Sequence, residues 1–224
     1  MVHKIIQSRF NVFLEAFLMA ASIFIIAFAL GLYIESSRTN NIINNYKTYE
    51  IQGLDFKLQS YYFQTMTAST CDLAVKHNFE FADQVYSSAI DLERAEGANQ
   101  ITDDLILEKQ RHTLLRTELW LNTLQLKSKC GYPFDTVVYF YYGDPRTNKA
   151  VSEQKIISNV LKEVKERFGN KMILIPIAGD FNLDSVNLQM ESYNVTQLPA
   201  VLINEKTVLY GFHSAEEIES YVGR

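Results

Sequence analysis

Between Ala16 and Ile34 the chain reads AFLMAASIFIIAFALGLYI, nineteen residues without a charge. As a helix rising 1.5 Å per residue such a run reaches roughly 28 Å, close to the hydrocarbon thickness of a bilayer. Val12, Phe13 and Leu14 extend it, and Tyr33 lies near one end, where an amphipathic ring suits a membrane interface. The rival reading is a cleaved secretory signal, because Ala27-Phe28-Ala29 has the small-x-small form and Lys4 and Arg9 supply a positive leader. Cleavage there leaves LGLYI, still apolar, at the new terminus, so the expectation is an uncleaved membrane span. Lys and Arg balance across the run, with Lys4 and Arg9 before it and Arg38 and Lys47 after. The very short basic tail breaks the tie toward a signal-anchor, its N-terminus cytoplasmic and the rest of the chain outside. Glu15, inside the apolar run but near its cytoplasmic end, reads as tilting to the interface.

Behind this segment the chain of 224 residues is 47% apolar and 21% charged, enough to build a core. Its net charge of −5, with Lys and Arg dispersed, lacks the basic face a nucleic-acid binder requires. Two cysteines and four scattered histidines make neither a disulfide-dense miniprotein nor a zinc site. Phosphate-loop, dinucleotide, nucleophile-elbow and zincin motifs are missing from the sequence, and no cofactor, metal or catalytic residue is expected. His77, His112 and His213 read as surface or capping residues.

Residues 36 to 65 read as a juxtamembrane connector turning helical, since Leu54, Leu58, Tyr62 and Met66 recur every four residues. Ala74, Phe81, Val85, Ala89 and Leu92 form a further stripe, broken at residues 96–100 by Gly97 and Asn99. Thr102, Asp103 and Asp104 then offer a cap and an acidic first turn to a helix carrying Leu115, Leu119 and Leu126. Two helices joined by a short turn predict an antiparallel hairpin over residues 66–131. The point midway between Cys71 and Cys130 falls at that turn, so the hairpin brings them level and a disulfide fits. Two unrelated buried thiols are the alternative. A redox-active pair is the third reading, without the local thiolate stabilisation that a CxxC spacing provides.

Beyond Gly131 and Pro133, strand and helix alternate. Thr136–Tyr142 is β-branched and aromatic, Ile157, Leu161, Val164 and Phe168 mark a helix closed at Gly169, and Met172–Ile177 is a second strand. Leu183, Val186, Met190 and Tyr193 mark a helix ending at Asn194. Two strands, 200–204 and 207–210, meet at a tight turn expected on Glu205 and Lys206, and Ser214 with Glu217 makes a capping box for a last helix. Asn194-Val195-Thr196 is a glycosylation sequon by pattern.

The order βαβαββα, together with YNVTQLPAVLI at residues 193–203, resembles the thioredoxin superfamily. The resemblance covers residues 135–222. It implies a cis peptide bond between Leu198 and Pro199, and a surface at Leu198, Pro199 and Ala200 facing the place where family members hold a polypeptide. More narrowly the chain resembles small membrane-anchored prokaryotic thioredoxin-fold proteins, in which a helical hairpin precedes the module and CxxCxxQ opens its first helix. Gln154 matches the trailing glutamine, but the cysteine positions are Asn148 and Val151. Dithiol exchange needs an attacking thiolate and a resolving thiol, which amide and alkyl groups cannot replace.

The expected fold class is therefore α/β. Residues 1–35 form a tail and transmembrane helix, 36–65 a connector, 66–131 a hairpin and 132–224 a thioredoxin-like domain. The expected function is a membrane-anchored, extracytoplasmic, non-catalytic protein-binding or scaffold module, with the lipid bilayer and an unidentified protein as partners. The alternative is a thiol-disulfide oxidoreductase or disulfide-relay component using Cys71 and Cys130.

Overall fold

The computed structural model describes residues 2–65, 70–97, 103–131, 134–147 and 149–223. The chain divides into two compact units, residues 1–51 and 52–224. The first is helical and belongs to α1, Val2–Thr65. Within it Phe13–Ile34 is long and apolar enough to cross a membrane, and none of that stretch is buried by protein. Phe17, Ile23, Phe24 and Phe28 all stand exposed, while the Ser22 hydroxyl donates to the Leu18 carbonyl at 2.8 Å and so hides its polar group within the helix.

The second unit is mixed helix and sheet. Its elements are the end of α1, α2 (Cys71–Gly97), α3 (Asp103–Cys130), β1 (Asp135–Tyr141), α4 (Val151–Phe168), β2 (Met172–Ala178), α5 (Asp184–Ser192), β3 (Ala200–Ile203), β4 (Thr207–Tyr210) and α6 (Ala215–Glu219). The strands lie in the order β2-β1-β3-β4. Strand β1 runs parallel to β2, with Val137 opposite Leu174, and antiparallel to β3, with Val138 opposite Leu202; β3 and β4 form a hairpin. The parallel pair follows from the crossover helix α4 between its strands.

Strand β1 is central, and its side chains alternate between two covered faces. Val137 and Tyr139 pack with Ile157, Leu161 and Val164 of α4 and Ile218 of α6. Phe140 meets Trp120 of α3 edge-on, with ring centroids 5.9 Å apart, and α3 also packs against β2 and α5. The run TVVYFYY is continuous in apolar character because both faces are buried. Trp120 has no exposed surface, and its Nε1 donates to Glu205 Oε1 at 3.1 Å. Glu205 also accepts from Thr136 Oγ1 at 2.6 Å and lies 3.6 Å from Lys127 Nζ. This carboxylate ties α3 to the sheet.

Two sequence expectations are corrected, those for the β3–β4 turn and for His112. The end of α1 is helical as its four-residue period predicts, with Leu54, Leu58 and Tyr62 exposed and Gly53, Phe56 and Ser60 buried. Phe56 stacks on Phe81 at 3.7 Å, and a side chain at Gly53 would stand 2.7 Å from Leu115 Cδ2, so close helix approach selected glycine and a flat ring over leucine. The end of α1 thus joins α2 and α3 in a helical layer of the second unit, which runs from Gln52. The β3–β4 turn centres on Asn204 and Glu205, φ 50° and 56°, with Lys206 N donating to Ile203 O at 3.1 Å. This is a type I′ turn, whose twist matches the strands and for which Asn supplies the first left-handed residue. Last, His112 is neither a surface nor a capping residue. It is buried between helices, its Nε2 within 2.9 Å of both Ser88 Oγ and the Val85 carbonyl. A carbonyl only accepts, so Nε2 carries the proton. Met66, Thr102, Pro133 and residues 98–100 of the expected 96–100 break lie outside the described residues.

Two outcomes are expected. Trp120→Ala should lower unfolding stability by about 3–5 kcal/mol, the range for emptying a buried aromatic site, read from urea denaturation followed by circular dichroism. Burial, then the nearby Arg116 charge, depresses the His112 pKa from 6.5 to about 3. Unfolded chains therefore take up a proton that the folded form refuses as pH falls from 6.5 toward 3, and stability drops across that window by about 1.4 kcal/mol per pH unit. Subtracting the pH profile of His112→Gln should isolate this slope; parallel profiles would refute it.

Candidate functional site

The site that the sequence singles out lies at the C-terminal end of β1, where three segments meet. The first, residues 142–151, leaves β1 and enters α4. Gln154, one turn into α4, grips it with both ends of its amide: Oε1 accepts from Tyr142 N, and Nε2 donates to Tyr142 O at 3.2 Å. The Asp180 carboxylate, just beyond β2, accepts from Gly143 N at 2.7 Å and Asp144 N at 3.2 Å. Arg146 forks onto Asp144, at 2.8 Å from Nε and 2.6 Å from Nη2, and these hydrogen bonds hold the Asp144 carboxyl below the usual carboxylate range. Lys149 Nζ stands 5.6 Å over the Tyr142 ring. Ala150 sits at φ 51° before α4 and offers no side-chain cap. Asn148 lies outside the described residues, while Val151 is exposed at the first position of α4.

The second segment precedes β3. Leu198–Pro199 is a cis peptide bond, Pro199 and Ala200 are buried, and Leu198 is half-buried. A side chain at Gly179, after β2, would crowd Leu198 Cδ1 at 3.0 Å and Met190 Sδ at 2.9 Å, so those side chains would have to shift to admit one. The Tyr210 hydroxyl donates to Asn194 O at 2.9 Å and accepts from Thr196 N at 3.1 Å, fixing the loop to β4. Asn194 itself, the sequon residue, is exposed in a left-handed turn. The third segment, Gly211–Phe212, follows β4: Ala200 pairs with Tyr210, and a side chain at Gly211 would meet Glu153 of α4 at 3.7 Å. Phe212 is exposed beside it.

Chemically this end of the sheet holds backbone, amide, alkyl and aromatic groups, the Asp144–Arg146 pair, the Asp180 carboxylate and Lys149, and no thiol. Beneath it, burial raises the Tyr139 pKa, so that hydroxyl stays protonated and donates to the Gln154 carbonyl at 3.3 Å. Sequence reading found Gln154, Val151 and Pro199 but passed over Asp180 and Gly179. A Gly-Asp pair ending an apolar strand is the signal that marks them.

Both cysteines are elsewhere. Cys71, the first residue of α2, is bonded to Cys130, the last of α3, with Cα atoms 5.6 Å apart. The bridge thus lies before β1 and the three-segment site after it, separated by a seven-residue strand of about 20 Å. Among the described residues no group of His, Cys, Asp and Glu is arranged to hold a metal ion.

This arrangement, a parallel β1–β2 pair, an antiparallel β3–β4 hairpin and a cis proline opening β3, is of the mixed α/β class. No protein-family profile and no curated protein matches the chain. Among solved structures it is similar to thioredoxin-2, described as a component of the malaria parasite's protein secretion machinery, at 19% identity over 39% of this chain and 79% of that one, with a TM-score of 0.30. It is also similar to another malarial protein, at 20% identity over 39% and 92%, with a TM-score of 0.29.

The bridge closes a loop of about 60 residues, and the chain-entropy relation gives such a link about 4 kcal/mol of stability. Replacing both cysteines by alanine should lower the unfolding free energy by that order, and a reductant should lower the wild-type midpoint similarly while leaving the variant unmoved.

Proposed function

We propose that the chain is a single-pass, membrane-anchored protein whose thioredoxin-like module binds a protein partner outside the cytoplasm without redox chemistry. One observation carries the reading: Val151 opens α4 where the family places a thiol, and the chain's two cysteines are consumed in one bridge on the far side of β1. The loop that would present a CxxC is nevertheless kept in shape by Gln154 and Asp180. A held loop without its reactive group suits recognition. Exposed Val151 and Phe212 offer apolar surface to an extended segment of the partner.

The anchor reading rests on Phe13–Ile34, whose apolar side chains no protein covers. Placing the module outside the cytoplasm rests on the disulfide, which persists in oxidising compartments. The module, 132–224, then works with the helical layer as one body, since α3 forms part of its core. Narrow likeness to membrane-anchored prokaryotic thioredoxin-fold proteins supports the same order of parts. The oxidoreductase alternative draws on the half-exposed positions of Cys71 and Cys130, which leave the bridge open to an external thiol.

Asn148→Cys combined with Val151→Cys should confer insulin reductase activity on the membrane fraction, while the natural chain shows none. Graded redox buffers with alkylation separate the alternatives: a Cys71–Cys130 bridge resisting the glutathione potential supports the structural role, and one opening near −200 mV or above supports the enzyme. Protease digestion of sealed, inverted vesicles should spare the module; digestion there would overturn its assigned side.

A further inference from the structure

The three helices α1, α2 and α3 form a small, partly open cavity lined by Phe56 and Ser60 of α1, Ala74 and Asn78 of α2, and Asn122, Gln125 and Leu126 of α3. It has room for about one water molecule. Two buried polar atoms on its wall have no partner in the protein: Asn78 Oδ1, on a residue 1% exposed, and Asn122 Nδ2, on a residue 9% exposed. Leaving either unsatisfied costs on the order of 1–3 kcal/mol.

The orientation of Asn78 is fixed by its neighbours. Thr123 Oγ1 spends its proton on the Leu119 carbonyl at 2.7 Å, so toward Asn78 it can only accept. Asn78 Nδ2 is therefore the group 2.9 Å from it, and Oδ1 is the acceptor left unpaired on a residue that lines the cavity. Ser60 Oγ donates to Gln125 Oε1 at 3.2 Å and keeps lone pairs free. The wall thus presents an acceptor from α2, a donor from α3 and a hydroxyl oxygen from α1.

The geometry points to a one-molecule hydration site in which a resident water accepts from Asn122 Nδ2 and donates to Asn78 Oδ1 and Ser60 Oγ. Three partners are the usual number for a buried water, and an apolar guest would leave both amide atoms orphaned. Bound in this way, the water joins all three helices at one point, and it stitches the end of α1 to the hairpin.

The test uses the full chain in detergent micelles. With asparagine amides labelled, the Asn122 side-chain protons should show a nuclear Overhauser contact to a water held longer than a nanosecond. Asn78→Ala and Asn122→Ala should each lower the urea midpoint. Because they share the bridging molecule, the double variant should fall by clearly less than the two shifts together. Strictly additive shifts, or Asn122 protons contacting only fast-exchanging solvent, would overturn the proposal. The water contact is read on the natural chain, so a variant that fails to fold does not remove the test.

Discussion

The seat of Trp120 on the sheet governs the architecture. Strand β1 is apolar on both sides, and a strand of that kind must have both faces covered. Helices α4 and α6 cover one face; the other would be open beyond the reach of α5 were α3 not laid across it. Trp120 fills this interface against Phe140 and Tyr193, and its one polar atom is met by Glu205. The helical layer is thus no spacer in front of the module. It is half of the core, and the residues that link it, Lys127, Thr136, Asn204 and Glu205, gather at the end of the sheet away from the three-segment site.

That division of labour leaves the two ends of the sheet structurally independent. Nothing in the Trp120 contact or in the Cys71–Cys130 bridge passes through the loop after β1. Conversely, what holds that loop, the amide of Gln154 and the carboxylate of Asp180, acts on backbone groups of Tyr142, Gly143 and Asp144 and is indifferent to the side chains at 148 and 151. A thiolate at the start of α4 would draw on the positive end of the helix. An alkyl group such as Val151 does not draw on it.

Much of this was legible in the sequence, and the failures have physical causes. Alternation of strand and helix after residue 135, the bridge and the apolar span each leave a strong local trace: β-branched runs, a symmetric cysteine spacing, nineteen uncharged residues. The packed face of α1 left none, because hydrophobicity ranks Leu54 and Leu58 above Gly53 and Ser60 while close approach favours the small residues. His112 was misread because a polar residue signals surface only when no partner waits inside, and Ser88 and Val85 are contributed by another helix. Asp180 lies 37 residues from the amide it fixes, a separation at which no periodicity speaks.

The buried polarity of α3 follows from the same demand for a single seating. Thr113, Thr117 and Thr123 turn their hydroxyls back to the carbonyls of Lys109, Thr113 and Leu119, so they occupy apolar surroundings without an unmet donor. His112 and Asn78 instead reach across to the neighbouring helix. Such pairs add little net energy when made, yet leave costly orphans if the helices slip by a turn. A leucine-only interface would tolerate that slip, and with it would go the level meeting of Cys71 with Cys130 and the alignment of Trp120 with Glu205. The polar pairs therefore select the register, and the apolar contacts and the disulfide then hold it.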